Sequence, residues 1–105
     1  AAEVVQVSKN LGTNPFWLAD LINFESGESW SPSKASPQGC VGLIQFCKPG
    51  AATVEKSQAE LAAMSGPEQM RYVEMYLRRV AGGDRSDPDS NFTWLYFFRQ
   101  HVTGR

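Results

Sequence analysis

The amino-acid sequence predicts an all-α fold built as a single domain. Two segments carry apolar residues at the spacing of one helix face, and the chain gives little sign of the alternating pattern of a β-sheet. The length of 105 residues suits one compact core. The apolar positions of the two segments are Leu18, Leu21, Ile22, Met70, Val73, Leu77 and Val80.

Start and stop signals bound the first two predicted helices. The first covers about residues 3–11 and stops at Gly12. The second covers about residues 15–26, because Asn14 before Pro15 is typical of an N-cap followed by proline at the first helical position. Apolar residues cover much of the circumference of this second helix, so we expect it to be central.

A long loop follows the second helix. Residues 27–42 are rich in Ser, Pro and Gly, which favours an ordered loop or, as the alternative, a small hairpin. Residues 42–46 can start another helix or form a turn, and Pro49 and Gly50 interrupt the pattern. A further helix is then predicted over about residues 51–64.

Two more helices complete the prediction. Ser65 and Glu68 have the spacing of a capping box at the start of the first, which ends at the glycine pair 82–83. A polar linker over residues 84–90 leads to a final aromatic helix over about residues 92–102.

Glu25 gives the strongest indication of chemistry. It follows Leu18, Leu21 and Ile22 at helical spacing, so a carboxylate stands where this apolar face predicts a leucine. It also lies at the predicted end of the helix and faces the loop. Because desolvation disfavours a carboxylate, we expect the pKa of Glu25 to be raised, as general acid catalysis at neutral pH requires.

Composition and charge limit the classes of partner. The net charge of −1 gives no electrostatic argument for nucleic acid or for an anionic membrane surface. No apolar run approaches the length of a membrane span, and the N-terminus lacks the pattern of a signal peptide. Removal of a signal peptide or of neighbouring domains stays open, so the domain of residues 1–105 can belong to a larger protein.

The two cysteines, Cys40 and Cys47, are seven residues apart. On one continuous helix their Cα atoms would be roughly 10 Å apart, beyond the reach of a disulfide. We favour two buried thiols, since Cys is commonly a small core residue, and keep a disulfide as the alternative if the loop bends. No metal site is expected, because these cysteines and the distant His101 lack the spacing of zinc ligands. We also predict no cofactor.

The loop after Glu25 carries a series of motifs. They are Glu25-Ser26, Trp30-Ser31-Pro32, Ser36-Pro37 and Gly39-Cys40-Val41-Gly42-Leu43-Ile44-Gln45-Phe46. This series resembles the signature of lysozyme-like lytic transglycosylases, the soluble lytic transglycosylase group that is related to goose-type lysozymes. The spacing of the aromatic residue looks like the form found in bacteriophage tail and virion peptidoglycan-degrading domains.

The resemblance implies a lysozyme-like helical domain that cleaves the β-1,4 bond between N-acetylmuramic acid and N-acetylglucosamine. One glutamate, here Glu25, would protonate the leaving oxygen and then act as the base. The substrate's N-acetyl group would assist, and its C6 hydroxyl would attack to give a 1,6-anhydro sugar. The implied partner is the glycan strand of peptidoglycan, met in the periplasm or at the bacterial cell wall by a virion-associated or exported protein.

Six further residues are candidates for binding this substrate: Ser26, Trp30, Ser36, Gln45, Tyr72 and Tyr96. The serines can hydrogen-bond the glutamate or a sugar, and the glutamine amide suits an N-acetyl or hydroxyl group. The aromatic rings can present flat faces to pyranose rings, and Tyr96 is the nearest counterpart of a tyrosine that lines the family's site. Each residue also has a structural interpretation, as a cap, a brace of the loop or a core side chain.

Two alternative functions stay open on the sequence. The first is a hydrolytic muramidase on the same scaffold, in which an aspartate of the 84–89 linker positions a water molecule. The second is a non-catalytic structural or wall-binding module of a virion or secretion machine that kept the motifs. The intact Glu25 and Gln45 speak against this second alternative.

Overall fold

The computed structural model describes residues 2–81, and five α-helices account for most of them. Outside the helices, isolated bridges pair Ala35 with Val41 and Val41 with Phe46, so this part of the chain contains no β-sheet. The architecture agrees with the all-α prediction. The helices are α1 Ala2–Leu11, α2 Pro15–Glu25, α3 Lys48–Thr53, α4 Gln58–Ala62 and α5 Gly66–Ala81.

The first two helices begin and end close to the predicted residues. The Asn14 side chain accepts a hydrogen bond from the Phe16 N–H at 2.8 Å, which confirms the N-cap before Pro15. α2 ends at Glu25, one residue before the predicted end. Gly27 then has a φ of +63°, a left-handed conformation that glycine adopts without strain and that turns the chain into the loop.

The prediction of one helix over residues 51–64 is wrong, because two short helices, α3 and α4, lie there. Glu55, between them, has a φ of +58°, which interrupts a right-handed helix. Ser57 then caps α4 with a capping box: its hydroxyl accepts from the Glu60 N–H at 3.0 Å, and its own N–H donates to the Glu60 carboxylate at 2.9 Å. This local signal outweighs the apolar periodicity.

α5 begins at the predicted capping box. The Ser65 N–H donates to the Glu68 carboxylate, and the Glu68 N–H donates to the Ser65 hydroxyl, both at 3.2 Å. The hydrogen bond from the Ser65 backbone also lowers the pKa of Glu68. The predicted linker over residues 84–90 and the final helix over residues 92–102 lie outside the described residues.

One apolar core joins the helices and the loop. α1 packs against both α2 and α5, and the loop adds Val41, Leu43, Ile44 and Phe46 to the same cluster. Full burial of such a side chain stabilises the fold by roughly 1.5–3 kcal/mol. The main helical members are Val4, Val7, Leu11, Leu18, Leu21, Ile22, Met70, Val73 and Leu77.

The segment between α2 and α3 is an ordered loop, as predicted. Val41 and Phe46 form a backbone pair in which each N–H donates to the other's carbonyl, at 3.0 and 2.6 Å. Residues 42–45 form the turn between them, so the open choice between helix and turn is resolved as a turn.

Three glutamine amides, which we call the glutamine ties, hold this loop: Gln45 within it, Gln58 in α4 and Gln69 in α5. Each Nε2 donates two hydrogen bonds to backbone carbonyls, at 2.6 to 3.0 Å. Four of the six acceptor carbonyls, those of Lys34, Gly42, Phe46 and Leu61, also accept a backbone N–H, and for the other two the amides supply the donor. The acceptor pairs, in the order of the glutamines, are Lys34 and Gly42, Gly39 and Phe46, and Pro32 and Leu61.

Cys40 and Cys47 form a disulfide, so the prediction of two free thiols is wrong. Their Cα atoms are 4.1 Å apart, because the turn between Val41 and Phe46 reverses the chain where a continuous helix would have separated them. Cys40 is buried and Cys47 is exposed. The disulfide therefore fastens the two ends of the turn beside its backbone pair.

Candidate active site

A cavity of about 690 Å³ opens where the end of α2, the loop, α3 and α5 meet. Its volume is in the usual range for a small-molecule site. Three of the residues predicted for the site line it together: Glu25, Ser36 and Gln45. The other lining residues are Leu21, Phe24, Gln38, Cys40, Ile44, Cys47, Pro49, Gly50 and Tyr76.

Glu25 lies at the border between the core and this cavity. Leu18, Leu21 and Ile22, on the same face of α2, are at most 1% exposed, whereas Glu25 is partly exposed. The predicted continuation of an apolar face by a carboxylate is therefore confirmed. Because Glu25 is the last residue of a helix, its backbone is held by a regular element while its side chain reaches the cavity.

Tyr76 of α5 lines the cavity near Glu25. Its ring packs edge-on against Phe46, with the ring centroids 5.6 Å apart. Burial raises the pKa of the Tyr76 hydroxyl above its ordinary value of 10.0, and the negative charge of Glu25 raises that pKa further. The phenol is therefore neutral at physiological pH and can donate a hydrogen bond.

Gln45 presents an unused acceptor at the cavity. Its Nε2 donates to the carbonyls of Lys34 and Gly42, each at 3.0 Å, which assigns the two ends of the amide. Its Oε1 is buried and accepts no hydrogen bond from the residues that the structure describes. Such an atom favours a bound hydroxyl or N–H group. The nitrogen thus braces the loop, and the buried oxygen keeps an acceptor capacity that no described residue uses.

Ser36 can both brace the loop and bind a ligand, the two roles that the sequence left open. Its hydroxyl accepts a hydrogen bond from the Cys40 N–H at 3.2 Å, and its N–H donates to the Cys40 carbonyl at 3.0 Å. A hydroxyl that accepts one hydrogen bond can still donate another. Ser36 therefore ties the loop and can contribute a donor to the cavity that it lines.

Ser26, Trp30 and Tyr72 are not among the residues that line the cavity. Ser26 is fully buried, and its hydroxyl accepts the Trp30 N–H at 3.0 Å. The Trp30 indole N–H donates to Asn23 at 3.0 Å, which fixes this side chain on the outside of α2. The Tyr72 ring lies beneath the Lys56 ammonium, with 5.6 Å from Nζ to the ring centroid.

The sequence predictions did not include Tyr76, and they gave the disulfide only as the alternative to two buried thiols. Tyr76 follows Val73 by three residues and precedes Leu77, so helical spacing sets it beside the apolar face of α5. That spacing does not reveal which element the face will meet. Tyr96, the predicted site tyrosine, lies outside the residues that the structure describes.

The cavity lining combines apolar side chains with a few polar groups, and these polar groups limit what it can bind. Among the described residues Glu25 is the single carboxylate of the lining, accompanied by amide, hydroxyl and phenol groups. Within residues 2–81, no group of three or more His, Cys, Asp or Glu side chains is placed to hold a metal ion. In the same range no helix is both long and apolar enough to cross a membrane. The lining suits a ligand rich in hydroxyl and amide groups.

No protein-family model, curated protein or solved structure matched the chain when it was compared with each of these.

Proposed function

We propose that this chain is a peptidoglycan lytic transglycosylase with a lysozyme-like fold, which cleaves the β-1,4 bond between N-acetylmuramic acid and N-acetylglucosamine. The observation that carries the proposal is the position of Glu25, at the end of a helix and in a cavity whose other described polar groups are neutral. Glycan strands carry the hydroxyl and N-acetyl groups that such a cavity can bind. The loop motifs that line it point to the same substrate.

The proposed reaction uses Glu25 twice. In the first step, its protonated carboxyl donates a proton to the glycosidic oxygen, and the bond from that oxygen to C1 breaks, which releases the hydroxyl of N-acetylglucosamine. The N-acetyl oxygen of the substrate bonds to C1 in its place. In the second step, the Glu25 carboxylate accepts the proton of the C6 hydroxyl, whose oxygen bonds to C1 and displaces the N-acetyl oxygen. Both attacking groups belong to the substrate, so the reaction needs no second carboxylate and gains from a high effective concentration.

Three neutral groups are proposed to orient the reacting partners. The phenol of Tyr76 can donate to the Glu25 carboxylate that the first step leaves behind. Oε1 of Gln45 can accept from a hydroxyl or from the N–H of an N-acetyl group, and the hydroxyl of Ser36 can donate to a sugar oxygen. Each of these interactions uses a hydrogen-bonding capacity that the fold leaves available.

Replacement of Glu25 by Gln tests the proposal. The amide cannot donate the proton, so we expect cleavage of purified peptidoglycan to fall by about 10²–10⁴-fold. The matched control is Glu28→Gln, the same chemical change at an exposed residue three positions further on, which should cleave at the wild-type rate. Circular dichroism would show that both variants stay folded. Wild-type activity in a folded Glu25→Gln variant would refute the assignment.

The masses of the released fragments identify the reaction. A lytic transglycosylase gives 1,6-anhydro ends, which are one water lighter than the reducing ends that a hydrolytic muramidase gives. Reducing ends alone would replace the proposed reaction by hydrolysis on the same scaffold. Binding to insoluble peptidoglycan with no soluble product would favour a non-catalytic wall-binding module.

The proposed substrate also sets the proposed place of action. Peptidoglycan lies in the periplasm or at the bacterial cell surface, so we propose that the chain acts there, as part of a virion or of an exported assembly. The Cys40–Cys47 disulfide supports this, because disulfides persist mainly in oxidising compartments.

A further inference from the structure

We infer that Gln69 is a positioning residue for glycan cleavage, which fixes the loop that carries Ser36 and Gln45 against the helix that carries Tyr76. This inference rests on the proposed function. It concerns a residue that is not among those lining the cavity, so any effect of Gln69 on the reaction must pass through its neighbours.

Gln69 is fully buried and joins three separate parts of the chain. Its Oε1 accepts a hydrogen bond from the Leu43 N–H at 2.8 Å. Its Nε2 donates to the carbonyl of Pro32 at the start of the loop and to that of Leu61 in α4, both at 2.8 Å. Removal of this amide would leave the Leu43 N–H and the Pro32 carbonyl without its hydrogen bonds in or near the core, which is a costly arrangement. The Leu61 carbonyl would still accept from the Met64 N–H at 3.1 Å.

The turn that carries Gln45 packs directly on the Gln69 amide. A Cβ atom added at Gly42 would lie 2.6 Å from Gln69 Oε1, so only glycine allows this approach. The carbonyl of the same Gly42 accepts a hydrogen bond from Gln45 Nε2. The contacts therefore run from Gln69 through Gly42 to Gln45, which lines the cavity and whose buried Oε1 has no hydrogen-bond partner among the described residues.

The helix α5 carries both Gln69 and Tyr76. Gln69 and Tyr76 are seven residues apart on the helix, so they lie on the same face, two turns from each other. One rigid element thus holds the loop at one point and places Tyr76 at another. The contact between Gln69 and the turn therefore sets the distance from Ser36 and Gln45 to Tyr76.

Such positioning matters most for an intramolecular attack. The C6 hydroxyl must be held close to C1 while water is excluded from the same carbon. If the wall loosens, water can compete: its oxygen bonds to C1 and displaces the N-acetyl oxygen, its proton passes to the Glu25 carboxylate, and the product is a reducing end. Loss of the Gln69 tie should therefore slow cleavage and also change the product.

The test is Gln69→Met, which approximately keeps the length of the side chain and removes its three hydrogen bonds. The assay uses purified, uncross-linked glycan strands, well below the unfolding temperature of the variant. We expect kcat to fall about 10–100-fold and the fraction of reducing ends in the mass spectrum to rise severalfold over wild type. The product ratio does not depend on how much protein is active, so partial unfolding alone would leave it unchanged.

The matched control is Gln6→Met, the same substitution at an exposed residue of α1 whose amide bonds Asn10 on the surface. It should keep the wild-type rate and product ratio. If Gln69→Met does not fold, Gln69→Asn carries the test, since it keeps the amide on a shorter side chain and should give a smaller change in the same direction.

A folded Gln69 variant with the wild-type rate and product ratio would overturn the positioning role. Failure of the proposed function would look different. In that case the wild-type chain itself would release no anhydro ends, a result that needs no Gln69 variant.

Discussion

Removal of the Cys40–Cys47 disulfide should lower the free energy of unfolding by about 2.5 kcal/mol. The two cysteines are seven apart in sequence, so the bond closes a ring of about eight residues in the unfolded chain. For a ring of that size the chain-entropy relation gives about 8 cal/mol/K, or about 2.5 kcal/mol at 25 °C. In a domain of about 100 residues this lowers Tm by roughly 10–20 °C.

The variant for this measurement is the double replacement of Cys40 by Ala and Cys47 by Ser. Cys40 is buried, so alanine there adds no polar group to the core, and a serine hydroxyl at the exposed position 47 stays in water. The glutamine ties from Gln58 and Gln69 do not depend on the disulfide. We therefore expect the double variant to fold, with lower stability and slower glycan cleavage, because both cysteines line the cavity.

The assay is thermal and urea unfolding followed by far-UV circular dichroism, with and without an excess of a dithiol reductant. The reductant should lower the Tm of the wild-type protein and leave that of the double variant unchanged. Mass spectrometry confirms that the bond is present before reduction. A loss of less than about 1 kcal/mol in the variant would refute the chain-entropy argument for this loop.

Two further variants test the Tyr76 phenol and the packing of Gly42 on Gln69. Tyr76→Phe should slow glycan cleavage by about 10–100-fold, as expected for the loss of a hydrogen bond to a charged group; the wild-type rate would remove the phenol from the mechanism. The folded pKa of Tyr76 is raised above its ordinary value of 10.0, so its contribution to stability is complete below pH 10 and is lost as the pH rises through the folded pKa. Urea unfolding should therefore show that the free energy of unfolding falls less at alkaline pH in the Phe variant than in the wild type. Gly42→Ala should cost about 1–3 kcal/mol or more in urea unfolding, because φ is +98° and the new Cβ meets Gln69. Gly66→Ala, where a Cβ meets nothing within 4 Å, is its control, and equal effects at the two positions would contradict the steric argument.

Features set by neighbouring residues in the chain could be predicted from the sequence. Asn14 caps α2 through the N–H two residues ahead, and Ser65 and Glu68 cap α5 across three residues. The position of Glu25 followed from helical spacing alone. The break between α3 and α4 is also local, since Ser57 and Glu60 form a capping box, but the apolar residues on either side of it suggested one continuous helix.

Features that depend on distant contacts could not be predicted in the same way. Tyr76 reaches the cavity because α5 packs against α3 and its ring contacts Phe46 of the loop, and the spacing of α5 does not predict this. The position of the turn against α5 depends on Gln69, whose Oε1 accepts a hydrogen bond from the N–H of Leu43, 26 residues earlier in the chain. The loop motifs predicted Ser36 and Gln45 as site residues together with Glu25, but they did not show which of their atoms the fold itself uses.

The glutamine ties also set an order of events during synthesis of the chain. Gln58 and Gln69 bond backbone groups of the loop that precede them by 12 to 37 residues. The loop therefore leaves the ribosome before these partners exist, and the carbonyls of Pro32 and Gly39 must bond to water until α5 and α4 have formed and docked. Cys40 and Cys47, only seven residues apart, need no later residue to come together. A nascent chain that has been synthesised only up to α5 can thus carry the disulfide, while its loop still lacks the hydrogen bonds from Gln69 that hold it in the folded structure.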